Sequence, residues 1–81
     1  MLNYDTMPNN LGDSIKRYIE KRIEPGRFLQ SVLRNDLQKS FGYADSTNRY
    51  LLFEIVQWLY NEMPGETWGS KETVANYLRE K

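Results

Sequence analysis

Few side chains in this sequence could perform catalytic chemistry. The 81 residues include no His and no Cys, so there is no imidazole base, no thiolate nucleophile and no Cys-ligated zinc. Aspartate and glutamate are plentiful, but none of them has the D-x-D-x-D-G spacing of a calcium-binding loop. Gly12 and Gly69 are single glycines, which do not make a phosphate-binding loop. The sequence therefore predicts a protein that is not an enzyme and that has no cofactor or metal.

Two charged residues interrupt apolar helical stripes and are the first candidates for a polar site. Asp36 falls among the apolar positions of one predicted helix, and Arg22 falls among those of another. A carboxylate on a core face must be paired or hydrogen-bonded, because desolvation of an unpartnered charge is costly. We therefore predict that Asp36 faces inward and is paired, with Arg22 as the first candidate; a tyrosine hydroxyl, the Trp68 indole and a loop N–H are the others. Alternatively, Asp36 and Arg22 line a small polar pocket between helices.

Aromatic residues are the second group that could bind a partner. They make up 14% of the chain, and aromatic side chains serve both hydrophobic cores and binding surfaces. The candidate binding residues of this kind are Phe53, Trp58, Tyr60 and Trp68. Together with the guanidinium groups of Arg22 and Arg27, these rings could also stack on a small nucleotide-like ligand.

Helices must position these residues, because apolar side chains recur at intervals of three and four and no segment alternates with period two for long. Capping residues and Pro-Gly breaks predict helices over 13–23, 26–41, 46–62 and 71–79. The expected fold is an all-α, compact single-domain bundle of about four short helices over residues 11–81. A flexible lead-in over residues 1–10 precedes it, because no periodicity is present there.

The third predicted helix, 46–62, has more apolar surface than one packing face requires. Its apolar side chains spread over an arc of roughly 220°, whereas a one-sided surface helix needs little more than about 100°. The helix therefore lies centrally in the fold or faces a partner. We predict that Phe53 or Tyr60 on one flank, or Trp58 on the other, stays uncovered and forms a binding surface with the loop that bears Trp68. A second copy of the chain could use the same surface in a homodimer.

Composition also narrows the classes of partner. The eleven basic and eleven acidic residues give a net charge of zero, which weakens the case for a nucleic-acid-binding protein. No stretch approaches the roughly 20 apolar residues that cross a bilayer, and no apolar run near the start indicates a secretory signal. The lack of disulfides fits a reducing cytoplasm. We therefore expect a cytoplasmic protein with no membrane partner.

Several short stretches form a distinctive set, although each is weak alone. They are IKRYIE at 15–20, PGRFL at 25–29, VLRNDL at 32–37, ADSTN at 44–48 and IVQWLYNEMP at 55–64, followed by WGS at 68–70. Together they resemble a family of small phage and prophage accessory proteins of unassigned function. The resemblance carries no site residues across. It implies a viral or mobile-element origin, action inside a bacterial cell, and an association with interference against host defence.

Three functions from different classes follow from these features. The favoured one is a phage protein that blocks a host antiviral defence protein, in an anti-CRISPR-like or other anti-defence role, through a hydrophobic and aromatic surface. The alternative is a sponge that sequesters a nucleotide-like defence signal. The third is a helical DNA-binding regulator, which the zero net charge and the apolar third helix disfavour.

Overall fold

The computed structural model describes residues 2–80, and these form five α-helices and three short 3-10 turns without any strand. The helices are α1 (Gly12–Lys21), α2 (Arg27–Leu33), α3 (Leu37–Tyr43), α4 (Ser46–Glu62) and α5 (Lys71–Arg79). The 3-10 turns cover Tyr4–Thr6, Pro8–Asn10 and Gly65–Thr67. The prediction of a compact all-α fold is confirmed. Met1 of the predicted lead-in and Lys81 of the predicted helical domain lie outside the described residues.

The predicted helix 26–41 is wrong in its middle, because the chain forms two helices there. Asn35 has a φ of 60°, a left-handed conformation that cannot continue a right-handed helix. Asp36 then occupies the N-cap position of α3, where its carboxylate accepts a hydrogen bond from the Lys39 backbone N–H (3.1 Å). The apolar spacing runs on through the break, so periodicity alone did not reveal it.

Residues 4–10, part of the segment predicted as a flexible lead-in, pack against α4. Met7 is buried, and the Trp58 indole N–H donates a hydrogen bond to the Thr6 hydroxyl oxygen (2.8 Å). The Asn9 side-chain amide donates to Asn48 Oδ1 (2.6 Å). This segment therefore covers one side of α4 and contributes to the core.

The buried apolar side chains come from α1, α2, α4 and α5 and from the connecting segments, whereas α3 contributes none. They are Met7, Ile15, Tyr18, Phe28, Leu29, Val32, Leu33, Ala44, Ile55, Trp58, Leu59, Met63 and Val74. The connection between α4 and α5 is attached to this core by hydrogen bonds. The Tyr18 hydroxyl donates to the Thr67 carbonyl (2.7 Å), and the Gly69 N–H donates to the Leu33 carbonyl (2.7 Å).

Helix α4 has one covered side and one uncovered side. Ile55 and Leu59 are fully buried, whereas Tyr50 and Phe53 are 88% and 85% exposed. The prediction that the apolar arc of this helix exceeds one packing face is therefore confirmed. The uncovered part is the place to look for a binding surface.

Candidate functional site

Seven large apolar side chains on α3 and α4 are exposed, and six of them lie on neighbouring parts of the surface. We call this surface the aromatic face, and its members are Leu37, Phe41, Tyr50, Phe53, Val56 and Tyr60. Their exposed fractions run from 38% at Val56 to 88% at Tyr50. Exposed apolar groups scattered singly are ordinary on proteins, whereas a contiguous set this large is a candidate interaction surface.

The aromatic face is continuous because helical spacing aligns its members. Tyr50, Phe53, Val56 and Tyr60 follow one another at intervals of three, three and four residues, so they line one side of α4. The side chains of α3 join them across an open groove of about 470 Å³. The groove is lined by Leu37, Phe41, Arg49, Tyr50, Leu52, Phe53 and Val56.

Helix α3 turns its apolar side chains outward because of the break that precedes it. Ser40 is buried, and its hydroxyl donates to the Asp36 carbonyl within the helix (2.7 Å). Leu37 and Phe41, about 60° and 100° around the helix from Ser40, are 73% and 53% exposed. The left-handed residue Asn35 changes the chain direction before α3 begins. A small polar residue can therefore pack inward while two large apolar residues meet solvent.

Arg49 is the only charged residue among the seven that line the groove. Its guanidinium carbon lies 4.6 Å from the centre of the Phe41 ring, and its Nε–H donates to the Phe41 carbonyl (3.2 Å). Cation–π contacts of this kind contribute roughly 0.5–1 kcal/mol at exposed sites. Arg49 therefore links the end of α3 to α4 and orients the Phe41 ring within the aromatic face.

The predicted pairing of Asp36 with Arg22 is wrong. The Arg22 guanidinium donates through Nη1 to the Tyr77 carbonyl (2.7 Å), and its central carbon lies 4.0 Å from the centre of the Tyr77 ring. Asp36 is half-buried rather than in the core, and its carboxylate caps α3. Each charged group is therefore satisfied by a different part of the fold, and the two do not line a common pocket.

Tyr18 and Tyr77 form a second aromatic cluster between α1 and α5, with ring centres 5.2 Å apart. The Tyr18 hydroxyl donates to the Thr67 carbonyl, and the Tyr77 hydroxyl donates to the Ile19 carbonyl. Burial raises the pKa of Tyr18 to about 12, and the nearby Tyr77 acts in the same direction. These hydroxyls are hydrogen-bonded inside the fold, so this cluster stabilises the domain.

The other predicted binding residues lie in several places. Phe53 and Tyr60 belong to the aromatic face, as predicted for one flank of the helix. Trp58 is buried against the N-terminal segment, so the prediction that it could form an uncovered flank is wrong. Trp68 is half-buried and packs against the core. Arg27 is exposed, with its guanidinium carbon 5.8 Å from the centre of the Tyr43 ring.

Sequence reasoning missed four members of the aromatic face. It assigned Leu37, Phe41 and Val56 to apolar helical stripes, and it placed Tyr50 in an aromatic group that it interpreted mostly as core. One available signal was the dipeptide Asn35-Asp36, because Asn tolerates left-handed conformations and Asp favours N-cap positions. That signal would have predicted two helices in place of one. Leu37 and Phe41 would then not have been grouped with the core positions of α2.

The described part of the chain shows neither a metal-binding cluster nor a membrane-spanning helix. Among residues 2–80, no group of three or more His, Cys, Asp or Glu side chains could hold a metal ion. No helix in the same range is both long enough and apolar enough to cross a membrane.

Comparison with known proteins does not assign this chain to a family or a fold. No protein-family model matches this chain, and no curated protein and no solved structure is significantly similar to it. The resemblance to phage accessory proteins therefore stays a prediction made from the sequence stretches alone. The geometry of the aromatic face must support any functional proposal.

Proposed function

We propose that this protein acts by binding a partner protein through the aromatic face and not by catalysing a reaction. The observation that carries the proposal is the exposure of six large apolar side chains on one side of α3 and α4. Tyr50, Phe53 and Tyr60 are each more than three-quarters exposed. Covering such groups is favourable by about 25 cal/mol per Å² of apolar surface, so a partner that fits this face gains affinity from it.

The composition of the aromatic face suits a binding surface. Tyrosine and arginine are enriched among the residues that dominate binding energy, and the face combines Tyr50, Tyr60 and the groove residue Arg49. The opposite side of α4 packs into the core through Ile55 and Leu59, which are fully buried. The helix is therefore held rigidly, and a preorganised surface loses little conformational entropy when it binds.

The class of partner comes from the resemblance to phage accessory proteins. We propose a host antiviral defence protein as the target, in the cytoplasm of a bacterial cell. The aromatic face would inhibit such a protein by covering a surface that the protein needs for its own partner or substrate. The geometry supports the binding mode, whereas the identity of the target rests on the resemblance.

The nucleotide-sequestering and DNA-binding alternatives receive less support from the geometry. Arg22 and Trp58, two residues that would hold a nucleotide, are already partnered inside the fold by Tyr77 and Thr6. Helices α2 and α3 do form a pair joined by three residues, 34–36, as in a helix-turn-helix. The outward side of α3 presents leucine and phenylalanine, which do not neutralise phosphates.

The proposal is tested by capture from a bacterial lysate with a matched pair of charge variants. We expect the double variant Tyr50→Glu/Phe53→Glu to capture at least tenfold less partner than the wild-type chain. The reason is that two carboxylates would be desolvated at the centre of the contact. The control Lys16→Glu/Arg17→Glu also introduces two acidic side chains, on the exposed side of α1, and should capture normally. Circular dichroism melting establishes that both variants fold. Equal capture by a folded double variant would refute the proposal.

A further inference from the structure

We propose that, in the absence of a foreign partner, the aromatic face is covered by a second copy of this chain. In this homodimer the two α4 helices run antiparallel, and the two-fold axis passes near Phe53. The inference rests on the proposed function only in taking the aromatic face as an association surface. It goes further by naming the occupant and the register of the contact.

The exposed area of the aromatic face matches what a second copy could cover. An aromatic side chain buries roughly 150–250 Å², so the four aromatic members of the aromatic face alone present roughly 450–750 Å² at their observed exposure, and Leu37 and Val56 add to this area. The largest apolar patch of a typical monomer is only about 300–600 Å². A stable interface of standard size buries about 800 Å² on each partner. One further copy of the same face therefore has the area needed to cover it.

The charges of the chain also permit two copies to associate through this face. The chain has a net charge of zero, so two copies approach without the overall repulsion that keeps highly charged proteins apart. Arg49 is the one charged side chain in the groove, and it lies four residues before Phe53. Eight helical residues separate two such positions across the axis, which is roughly 12 Å at 1.5 Å per residue. That distance exceeds the Debye length of about 8 Å at physiological salt, so the two guanidinium groups repel weakly.

The order of side chains along α4 also suits an antiparallel pair. In an antiparallel pair centred on Phe53, a residue three positions before the axis faces a residue three positions after it. Tyr50 of one copy therefore faces Val56 of the other, so a large side chain meets a small one on both sides of the axis. By the same rule Arg49 faces the second copy's Gln57, whose amide oxygen can accept from the guanidinium N–H groups. The sequence is complementary to itself in this register.

The position of α3 extends the same arrangement. Leu37 and Phe41 line the groove with Arg49 and Tyr50, at the N-terminal half of α4, whereas Tyr60 lies at the C-terminal half. Antiparallel packing brings the C-terminal half of each α4 across from the N-terminal half of the other. Tyr60 of one copy therefore approaches the α3 side of the second copy, and all six apolar side chains are covered.

The first test is the mass of the free protein in solution. Analytical ultracentrifugation of the full chain at tens of micromolar should give twice the monomer mass of 9.7 kDa. Phe53→Glu should weaken the dimer at least a hundredfold, because it places two carboxylates together on the axis, and Tyr50→Glu should weaken it as well. The control Lys16→Glu should leave the mass unchanged. A monomeric wild-type chain at these concentrations would overturn the inference.

The second test fixes the register, and the absence of cysteine makes it simple. Under mild oxidation, Phe53→Cys should form an intermolecular disulfide through the axis, whereas Lys16→Cys on α1 should not. A dimer that cross-links through residue 16 and not through residue 53 would overturn the proposed register.

The homodimer and the proposed function fail in different ways. A monomeric chain whose lysate capture depends on Tyr50 and Phe53 refutes the homodimer and supports binding to a foreign partner. A dimer that dissociates to monomers on Phe53→Glu supports the homodimer. If that protein captures the same lysate proteins with or without an intact aromatic face, the binding of a foreign partner through this face is refuted. Each proposal can therefore be refuted without refuting the other.

Discussion

The tyrosines between α1 and α5 and the tyrosines of α4 differ in where their hydroxyl groups lie. Tyr18 is fully buried and donates to the Thr67 carbonyl, and Tyr77 donates to the Ile19 carbonyl. Tyr50 and Tyr60 are 88% and 77% exposed. A buried tyrosine hydroxyl needs an acceptor, and the fold supplies one to each inner tyrosine. The exposed tyrosines have their rings in solvent, where the proposed partner could contact them.

The same contrast occurs within α4 itself. Trp58 follows Phe53 by five positions, which places it about 140° around the helix. Trp58 is covered by the N-terminal segment and Phe53 is not. Aromatic composition therefore does not distinguish a core residue from a binding residue, because the distinction depends on which other segment covers that side of the helix.

The largest expected effect is a stability difference between these two residues. We expect Trp58→Ala to lower the free energy of unfolding by about 3–5 kcal/mol, because it leaves a cavity and removes the donor to Thr6. At protein concentrations below any self-association, Phe53→Ala should change it by no more than about 0.5 kcal/mol, as exposed positions do. Urea denaturation of both variants measures the difference. Similar losses for the two would contradict the assignment of Phe53 to a binding surface.

An intermediate effect is expected from the ionisation of Tyr18. Burial raises the pKa of Tyr18 from 10.0 to about 12, so the unfolded chain releases this proton first. The stability from this group is therefore fully present below pH 10 and is lost as the pH rises from about 10 to about 12. The total loss is roughly 2–3 kcal/mol at 1.4 kcal/mol per pKa unit. Urea denaturation across this range measures it.

Tyr18→Phe is the control for that pH dependence. It should cost about 1 kcal/mol at neutral pH, because the Thr67 carbonyl loses its buried donor. It should also remove the part of the alkaline destabilisation that comes from Tyr18. An unchanged pH profile in Tyr18→Phe would show that this hydroxyl is not the group responsible.

The smallest expected effect concerns Asp36, which the sequence analysis predicted to face the core. The inward placement predicted a mild effect for Asp36→Leu and a larger one for Asp36→Ala. The N-cap position predicts instead that both lower the free energy of unfolding by about 1 kcal/mol, because both remove the acceptor for the Lys39 N–H. Asp36→Asn, which keeps an oxygen acceptor, should remain close to wild type.

A double-mutant cycle between Asp36 and Arg22 separates the cap from an ion pair. We expect a coupling energy close to zero, because Arg22 interacts with Tyr77 and not with Asp36. A coupling energy of 1 kcal/mol or more would indicate an ion pair between Asp36 and Arg22 and would contradict the observed positions of these side chains.

Local signals predicted most of the helices and failed at one point. The predicted bounds 46–62 and 71–79 agree with α4 and α5, where Asp45 and Ser70 cap the first turn through their side chains. The helix predicted over 13–23 ends at Lys21, because Arg22 is left-handed. The helix predicted over 26–41 divides at Asn35. An N-cap side chain binds a backbone N–H two or three residues further along the chain. The start of a capped helix can therefore be predicted from the local sequence once the capping residue is recognised.

The candidate site was less predictable than the helices. The sequence indicated that α4 has surplus apolar surface and that Phe53 and Tyr60 share a flank. It did not indicate that Trp58 would be covered or that Leu37 and Phe41 would join the exposed surface. Those outcomes depend on contacts between distant segments. Thr6 and Trp58 are 52 positions apart, and Arg22 and Tyr77 are 55 apart.

The sequence by itself determined the helical periodicity, the side-chain caps of α4 and α5 and the absence of imidazole and thiol chemistry, because these depend on residue type and short spacing. Only the tertiary structure decided which apolar side chains remained in solvent. Periodicity shows that a side of a helix is apolar, but it does not show which segment covers that side. Here residues 4–10 cover one side of α4, and the separate helix α3 that begins after Asn35 has its own apolar side chains exposed beside the other. The aromatic face is the surface that remains.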